Sequence, residues 1–318
     1  MSSLKPSVPL YIVDAFTDRP FHGNPAAICL LKQSLSEDDM QKIAAEMNLS
    51  ETAYIQGVDG GDCDFEHGDR FGLRWFTPTN EVPLCGHATM ASAAVIFFVC
   101  DNPSPKVTFQ TLSGDLVVQR QGRGITMNFP LNTPQLENFE SVEKLLNLVI
   151  KKELIDSVHY SSDTKKLLVR LNDTCSRDDL ESIRPDITNF QNVESSGRIR
   201  GVIVTVKGDN GKADKQQNTY DFLSRYFAPW NGIREDPVTG SAHTVLAGYW
   251  SGVLEKKTMH ARQCSARGGD VTVHIRDDGR VDLTGEAAVV LRGFSDDLRV
   301  FCWLRIIKKY LWSEGIIE

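Results

Sequence analysis

Arg74-Trp75-Phe76-Thr77-Pro78-Thr79-Asn80 and Arg225-Tyr226-Phe227-Ala228-Pro229-Trp230-Asn231 are two versions of one heptapeptide. Arg, Phe, Pro and Asn coincide, Trp faces Tyr, and the second copy lies 151 residues after the first. Each copy is followed by a glycine-containing turn, Cys85-Gly86-His87-Ala88-Thr89 or Thr239-Gly240-Ser241-Ala242-His243, and then by small residues ending in aromatics. A second match sets Gln110-Thr111-Leu112-Ser113-Gly114-Asp115 against Gln263-Cys264-Ser265-Ala266-Arg267-Gly268-Gly269-Asp270, at a spacing of 153. Chance rarely preserves both pattern and spacing. The chain therefore reads as an internal duplication, with two similar lobes and a ligand site expected between them.

Length and composition agree with two soluble lobes. The chain has 318 residues, 41% of them hydrophobic and 24% charged, enough for a sizeable core without staples. Lys plus Arg number 35 against 42 Asp plus Glu, a net charge of −7. No basic run precedes the last twenty residues, which argues against nucleic acid as a partner. The seven cysteines are widely spaced and contain no C-x-x-C, so neither a disulfide framework nor a structural zinc site is expected. With no signal-peptide pattern in Met1-Ser2-Ser3-Leu4-Lys5-Pro6, a reducing, cytoplasmic location is expected.

Val82 to Cys100 and Pro237 to Leu254 lack Asp, Glu, Lys and Arg over 19 and 18 residues. Both open on a polar turn and are rich in Ala, Ser, Thr and Gly, which makes them buried central helices rather than membrane spans. Around them, β-rich runs predict strands at Leu10 to Phe16, Ala26 to Leu31, Thr52 to Ile55, Gly72 to Phe76, Lys106 to Thr111, Leu116 to Arg120 and Ile125 to Phe129. Further strands are predicted at Lys166 to Leu171, Ile199 to Lys207, Tyr220 to Phe227, Val271 to Ile275, Val281 to Thr284 and Ala287 to Arg292. Ser36 to Asp39 has capping-box spacing before Met40, Ile43, Ala44 and Met47. Helices are also predicted over Leu136 to Ile155 and Arg177 to Ile183.

The inventory is α+β, with residues 8–130 as first lobe, 131–284 as second, 285–293 as a closing strand returning to the first, and 294–318 as an appendage. Cys63 and His67 share a polar loop, but a metal site would need two more ligands that the sequence does not place nearby.

The turns at Gly86 and Gly240 begin the two central helices, where free N–H groups and the positive end of the macrodipole favour an anion. Neither G-x-x-x-x-G-K-[ST] nor G-x-G-x-x-G occurs, so nucleotide binding is unsupported. Acid–base candidates beside the turns are Glu51, His87, Asp236 and Cys85. A Glu at a helix-to-strand junction is ordinarily a solvated surface residue, and nothing in the local pattern lifts Glu51 above that. His87 and Asp236 each lie in a repeated turn, where capping and catalysis are both open readings. Cys85 is either a thiol activated at a helix start or an inert buried cysteine.

Leu10-Tyr-Ile-Val-Asp-Ala-Phe, His22-Gly-Asn-Pro-Ala-Ala, Met47-Asn-Leu-Ser-Glu-Thr, Arg74-Trp-Phe-Thr-Pro with Glu81-Val-Pro-Leu-Cys-Gly-His, and Glu235-Asp-Pro-Val-Thr-Gly-Ser-Ala together resemble the PhzF family of phenazine-biosynthesis-like proteins, from about residue 10 to 293. The resemblance implies a diaminopimelate-epimerase-like fold, in which each of two pseudo-symmetric lobes wraps a curved sheet around a central helix. It also implies a homodimer and an isomerase without cofactor or metal. In that family the glutamate of the Asn-Leu-Ser-Glu segment shuttles the proton, which falls here on Glu51; His87, Asp236 and Ser241 match the other motif positions. Asn24, Ser50, Gly86, Thr239 and Gly240 are expected to line the substrate site with them. Related epimerases use two facing thiols. Only Cys85 stands in such a place, so a two-thiol racemase is not expected.

The leading expectation is a cofactor-independent isomerase that moves a proton on a small carboxylate-bearing metabolite, with Glu51 as base. Enclosure between the lobes should raise its pKa toward neutrality. The rivals are a silent binding or adaptor protein working through a protein partner, with its apolar tail as the candidate contact, and a one-thiol epimerase using Cys85. Neither nucleic acid nor membrane is an expected partner.

Overall fold

The computed structural model describes residues 8–58, 61, 63–208 and 219–295. In chain order the first half contains β1 (Val8–Ala15), β2 (Asn24–Leu31), α1 (Glu37–Met47), β3 (Thr52–Gln56), β4 (Arg70–Phe76), β5 (Glu81–Val82), α2 (Gly86–Ala94), β6 (Lys106–Thr111), β7 (Gly114–Gln121) and β8 (Gly124–Pro130). The second half contains β9 (Gln135–Leu136), α3 (Phe139–Val149), β10 (Ile155–Ser161), β11 (Lys166–Leu171), α4 (Arg177–Ser182), α5 (Phe190–Val193), β12 (Gly201–Lys207), β13 (Phe222–Phe227), α6 (Gly240–Leu254), β14 (Thr258–Gln263), β15 (Gly269–Ile275), β16 (Arg280–Gly285) and β17 (Ala287–Ser295).

The strand pairings repeat between the halves. In the first, β2–β3 is parallel, β3–β4 antiparallel, β4–β6 parallel, and β6–β7 and β7–β8 antiparallel. In the second, β11–β12 is parallel, β12–β13 antiparallel, β13–β14 parallel, and β14–β15 and β15–β16 antiparallel. The copies meet where β8 runs antiparallel to β16, and β17 returns to pair with β1. The fold is thus a two-lobed, epimerase-like arrangement of curved sheet around central helices.

Composition explains which helix goes where. Every residue of α2 after Gly86 is buried, and small side chains let the surrounding strands approach. The last turn widens into a π-helix over Val95–Val99, which seats Ile96 and Phe97 in the core. α6 runs fifteen residues and buries Ala242, Val245, Leu246, Ala247 and Trp250. One apolar cluster joins both central helices, with Phe16 between them: its ring approaches the ideal Cβ positions of both Gly240 and Gly285. The outer layers are separate, α1 covering one small cluster and α3, α4 and α5 another.

The two Arg-aromatic-Phe heptapeptides fall on β4 and β13, whose arginines make matching bidentate pairs. Arg74 grips Glu81 and Arg225 grips Glu235, each with Nε 2.7 Å from Oε1. Both pairs brace the segment that leads into a central helix.

Several expectations need correction. The helix read over Leu136 to Ile155 ends at Val149, because Ile150 is extended. The chain then forms a short 3-10 turn at Lys152–Leu154 and the unexpected strand β10. β14, with polar His260 and Arg262 among its residues, was also not anticipated. The tail from residue 296 and most of the polar loop after Lys207 lie outside the described residues. No helix among the described residues is long and apolar enough to cross a membrane.

Candidate active site at the junction of the lobes

Glu51 is the last residue before β3. Its backbone carbonyl accepts from Ala27 N–H at 3.1 Å, so the start of β3 is fixed against β2. Its side chain points inward and is only 14% exposed, with Oε2 3.2 Å from His87 Nε2. Despite that proximity, both atoms are buried without an aligned hydrogen-bond partner. Cys85 precedes α2, with Sγ 3.4 Å from His87 Nδ1, and its thiol hydrogen-bonds to Glu51. Three functional groups from the start of one strand and the start of one helix therefore share a small enclosed volume.

The second lobe supplies Asp236, which is buried. Asn24 Nδ2 donates to Asp236 Oδ1 at 2.8 Å and to the Val238 carbonyl at 2.9 Å, tying the start of β2 to the second lobe. Thr239 Oγ1 donates to the other carboxylate oxygen. Gln263, which opens the second repeat match, donates to the Asp236 carbonyl at 2.6 Å and accepts from Thr239 N–H at 3.0 Å. Gly23 makes the turn before Asn24 possible: its φ is +62°, and a Cβ there would fall 2.1 Å from the Ala15 carbonyl oxygen.

Burial sets the electrostatics. It raises the Glu51 carboxyl from an ordinary 4.5 to about 7, helped by the charge of Asp236 and opposed by the Cys85 hydrogen bond. Burial likewise lifts Asp236 to about 6, against hydrogen bonds from Thr239 and Asn24 and the charge of Lys166. His87 is pushed down to about 4 by burial and is therefore a neutral imidazole at neutral pH. The Cys85 thiol is held well above its usual range by burial and by Glu51. A desolvated carboxyl poised near neutrality beside a neutral imidazole suits proton transfer. A thiol held protonated does not act as a nucleophile.

The outer helices α1, α3 and α4 are capped by side chains, α5 being the exception: Ser36 accepts from Asp39 N–H, Asn138 from Glu140 N–H and Ser176 from Asp179 N–H. Neither central helix has a side-chain cap. The N-termini of α2 and α6 thus open, uncapped by protein oxygen, beside Glu51 and Asp236, as an anion cradle requires.

Of the expected residues, Glu51 and His87 lie together beside Cys85, and Asn24, Asp236 and Thr239 are joined by hydrogen bonds; the two groups are linked by the effect of the Asp236 charge on Glu51. Gly86 and Gly240 begin the helices. Ser50 is half-buried beside Glu51, and Ser241 is exposed on the first turn of α6. Lys166 and Gln263 were not anticipated. Lys166 carries a legible signal, a cation at the head of the apolar strand Lys-Leu-Leu-Val-Arg-Leu. Gln263 had its place in the repeat as the only hint.

Glu51, Cys85 and His87 offer ligand atoms within 4.8 Å of one another, an O, S, N donor set of a type zinc accepts. The raised Glu51 and Cys85 pKa values oppose this, because a metal would have to expel a proton from a buried carboxyl and a buried thiol. A separate groove of about 590 Å³, lined by Thr17, Arg19, Arg123, Asp270, Thr284 and Glu286, holds none of the expected residues. It is open and carries mixed surface charge, whereas the Glu51 cluster is small and closed; the chemistry favours the latter.

The fold is that of a two-lobed, epimerase-like protein. A predicted epimerase from Pseudomonas aeruginosa, 18% identical, shares the fold at a TM-score of 0.64. The chain belongs to the PhzC-PhzF family of phenazine biosynthesis-like proteins, which matches residues 13–293. It is 53% identical over 286 residues to the phenazine biosynthesis-like domain-containing protein of Bos taurus, covering 90% of this chain and 98% of that one. An uncharacterized isomerase of Halalkalibacterium halodurans is 38% identical, over 90% of this chain and 97% of its own. The crystal structure of a PhzF family protein from Enterococcus faecalis is 34% identical with a TM-score of 0.78, covering 91% and 99%.

Proposed function

We propose that this protein is a cofactor-independent isomerase that moves a proton on a small carboxylate-bearing metabolite. The observation that carries this reading is the Glu51 carboxyl, enclosed with His87 and Cys85 and raised to about 7 beside the uncapped start of α2. The isomerase names of bacterial relatives support the reaction class.

In this mechanism the substrate carboxylate lies against the N–H groups at Gly86 and Gly240, with the Ser241 hydroxyl beside it. Ionised Glu51 removes a proton from the carbon next to an unsaturated or carbonyl system. The negative charge spreads into that system, where the helix dipoles stabilise it. Protonated Glu51 then returns the proton to a second carbon on the same face, while neutral His87 and Asp236 orient the substrate. Because one carboxyl performs both transfers, the reaction moves a proton without needing a second base opposite.

The test is incubation of small unsaturated carboxylates in D₂O with wild type and Glu51→Gln, followed by NMR. Wild type should incorporate deuterium into one member of the panel, and the variant should exchange it about 10²–10⁴ times more slowly. Equal exchange by both proteins would remove Glu51 from the mechanism.

A further inference from the structure

Lys166 is a buried cation that the mechanism above leaves without work. It heads β11 and lies opposite Gly201 in the parallel pair with β12. Alternation along β11 decides its direction. Leu168 packs in the inner core and the Arg170 guanidinium lies 4.5 Å from the Trp250 ring centroid of α6, whereas Leu167, Val169 and Leu171 belong to the outer layer. Lys166 therefore shares the inward face with Leu168 and Arg170. It lies at the end of the second lobe's sheet where β13 leads toward Asp236.

The ammonium is poorly matched. Lys166 is only 7% exposed, yet among the described residues Nζ reaches a single acceptor, the Thr164 carbonyl, at 3.4 Å. It forms no ion pair among the described residues. The Tyr226 ring centroid lies 5.7 Å from Nζ. The Tyr226 hydroxyl has no hydrogen bond among the described residues either, and Gly201 leaves room for it: a Cβ there would lie 2.2 Å from that oxygen. An ammonium carries three donors, and burying its charge without a partner is costly. Asp236 links this corner to the base, since its charge is felt by both Glu51 and Lys166.

We infer that Lys166, with the Tyr226 hydroxyl beside it, receives a second acidic group of the substrate, so that the natural substrate is a small dicarboxylate. This rests on the reading of the cleft as a carboxylate site: the helix N-termini hold one acid group, and the inner wall of the second lobe holds the other. The remaining positive charge of the site is thereby matched, and substrate length is set by the span from the start of α2 to the head of β11.

Calorimetric titration with succinate, glutarate and adipate, each beside its half-amide, tests the assignment without turnover. Wild type should bind one diacid about tenfold or more tightly than its half-amide. Lys166→Met should abolish that preference while leaving half-amide affinity unchanged. Tyr226→Phe, which keeps the ring beneath the ammonium, should reduce the preference and serves should the Lys166 variant fail to fold. Equal binding of diacid and half-amide by wild type, or a preference that survives in Lys166→Met and Tyr226→Phe, would overturn the inference. Glu51→Gln should retain the diacid preference. Loss of the base hypothesis would thus appear in deuterium exchange alone, and loss of this one in the affinity ratio alone.

Discussion

The two lobes share a skeleton and differ in chemistry. Register makes the comparison residue by residue: Thr52 pairs with Phe76 in the first lobe as Val202 pairs with Phe227 in the second. Glu51 therefore corresponds to Gly201. Val82 pairs with Trp75, and the Asp236 N–H donates to the Tyr226 carbonyl at 3.0 Å, so Asp236 corresponds to Val82. At the helix starts Cys85 faces Thr239 and His87 faces Ser241. What both lobes retain is structural, namely the Arg–Glu pairs and the uncapped helix N-termini. What diverged is the set of titratable groups. Two copies that each held a base would suit racemisation across a plane; a single base, as proposed for Glu51, suits transfer on one face.

The largest expected break of this comparison is to move the base. Glu51→Gln should lower deuterium exchange by about 10³, and adding Gly201→Glu to it should not restore activity. The new side chain would collide with the Tyr226 hydroxyl, so the double variant should also melt at lower temperature in a calorimeter.

The matching arginines should next prove unequal. Arg225 is buried and its Nη1 also donates to the Leu180 and Ile183 carbonyls at the end of α4, whereas Arg74 is 22% exposed and shares Glu81 and Glu37. Arg225→Ala should cost about 3–5 kcal/mol, since it leaves buried carbonyls and Glu235 unmatched, and Arg74→Ala about 1–2 kcal/mol. Urea midpoints compare them directly.

Glu51 should itself burden the fold at high pH. Its folded pKa of about 7 exceeds the ordinary 4.5, so between those values the folded state holds a proton that the unfolded chain has lost. Stability therefore falls as pH rises through that window, and the full cost is present above about 7. Glu51→Gln should be more stable than wild type by about 1–3 kcal/mol at pH 8 and show no such gain at pH 4, as read from denaturation at both values.

The smallest effect concerns the pH profile. The proposed mechanism needs ionised Glu51, so the wild-type exchange rate should climb as pH rises through about 7. Asp236→Asn removes a negative charge that helps hold that value up, and the climb should move to lower pH. A profile that stays in place would show that burial alone tunes the base.

The duplication was legible because its signature heptapeptides lie on equivalent strands, where an inward aromatic and an ion-paired arginine leave little freedom of sequence. The central helices were legible from their uncharged, small-residue runs. The sequence pattern predicts a longer helix than α3 because nothing after Val149 resembles a stop signal: no Gly or Pro ends it, and Lys151-Lys152-Glu153 continues an amphipathic pattern. Strand β10 was lost with it. Glu51 could be singled out only through family resemblance, because its burial comes from α2, more than thirty residues later in the chain. Lys166 escaped for a related reason. A lysine at a strand head usually reaches solvent, and only the pairing of β11 with β12 and the position of Tyr226 turn it inward.

The pairing of β17 with β1 has a consequence for how the molecule is made. β1 and β2 leave the ribosome early, yet the neighbour on the other side of β1 is synthesised more than 150 residues after β8. At translation speeds of about 5–20 residues per second, an unpaired strand edge in the nascent amino-terminal half persists for many seconds. During that interval this edge can recruit chaperones or mispair with another chain, a hazard that the second half, whose β9 closes on β10 almost immediately, does not face.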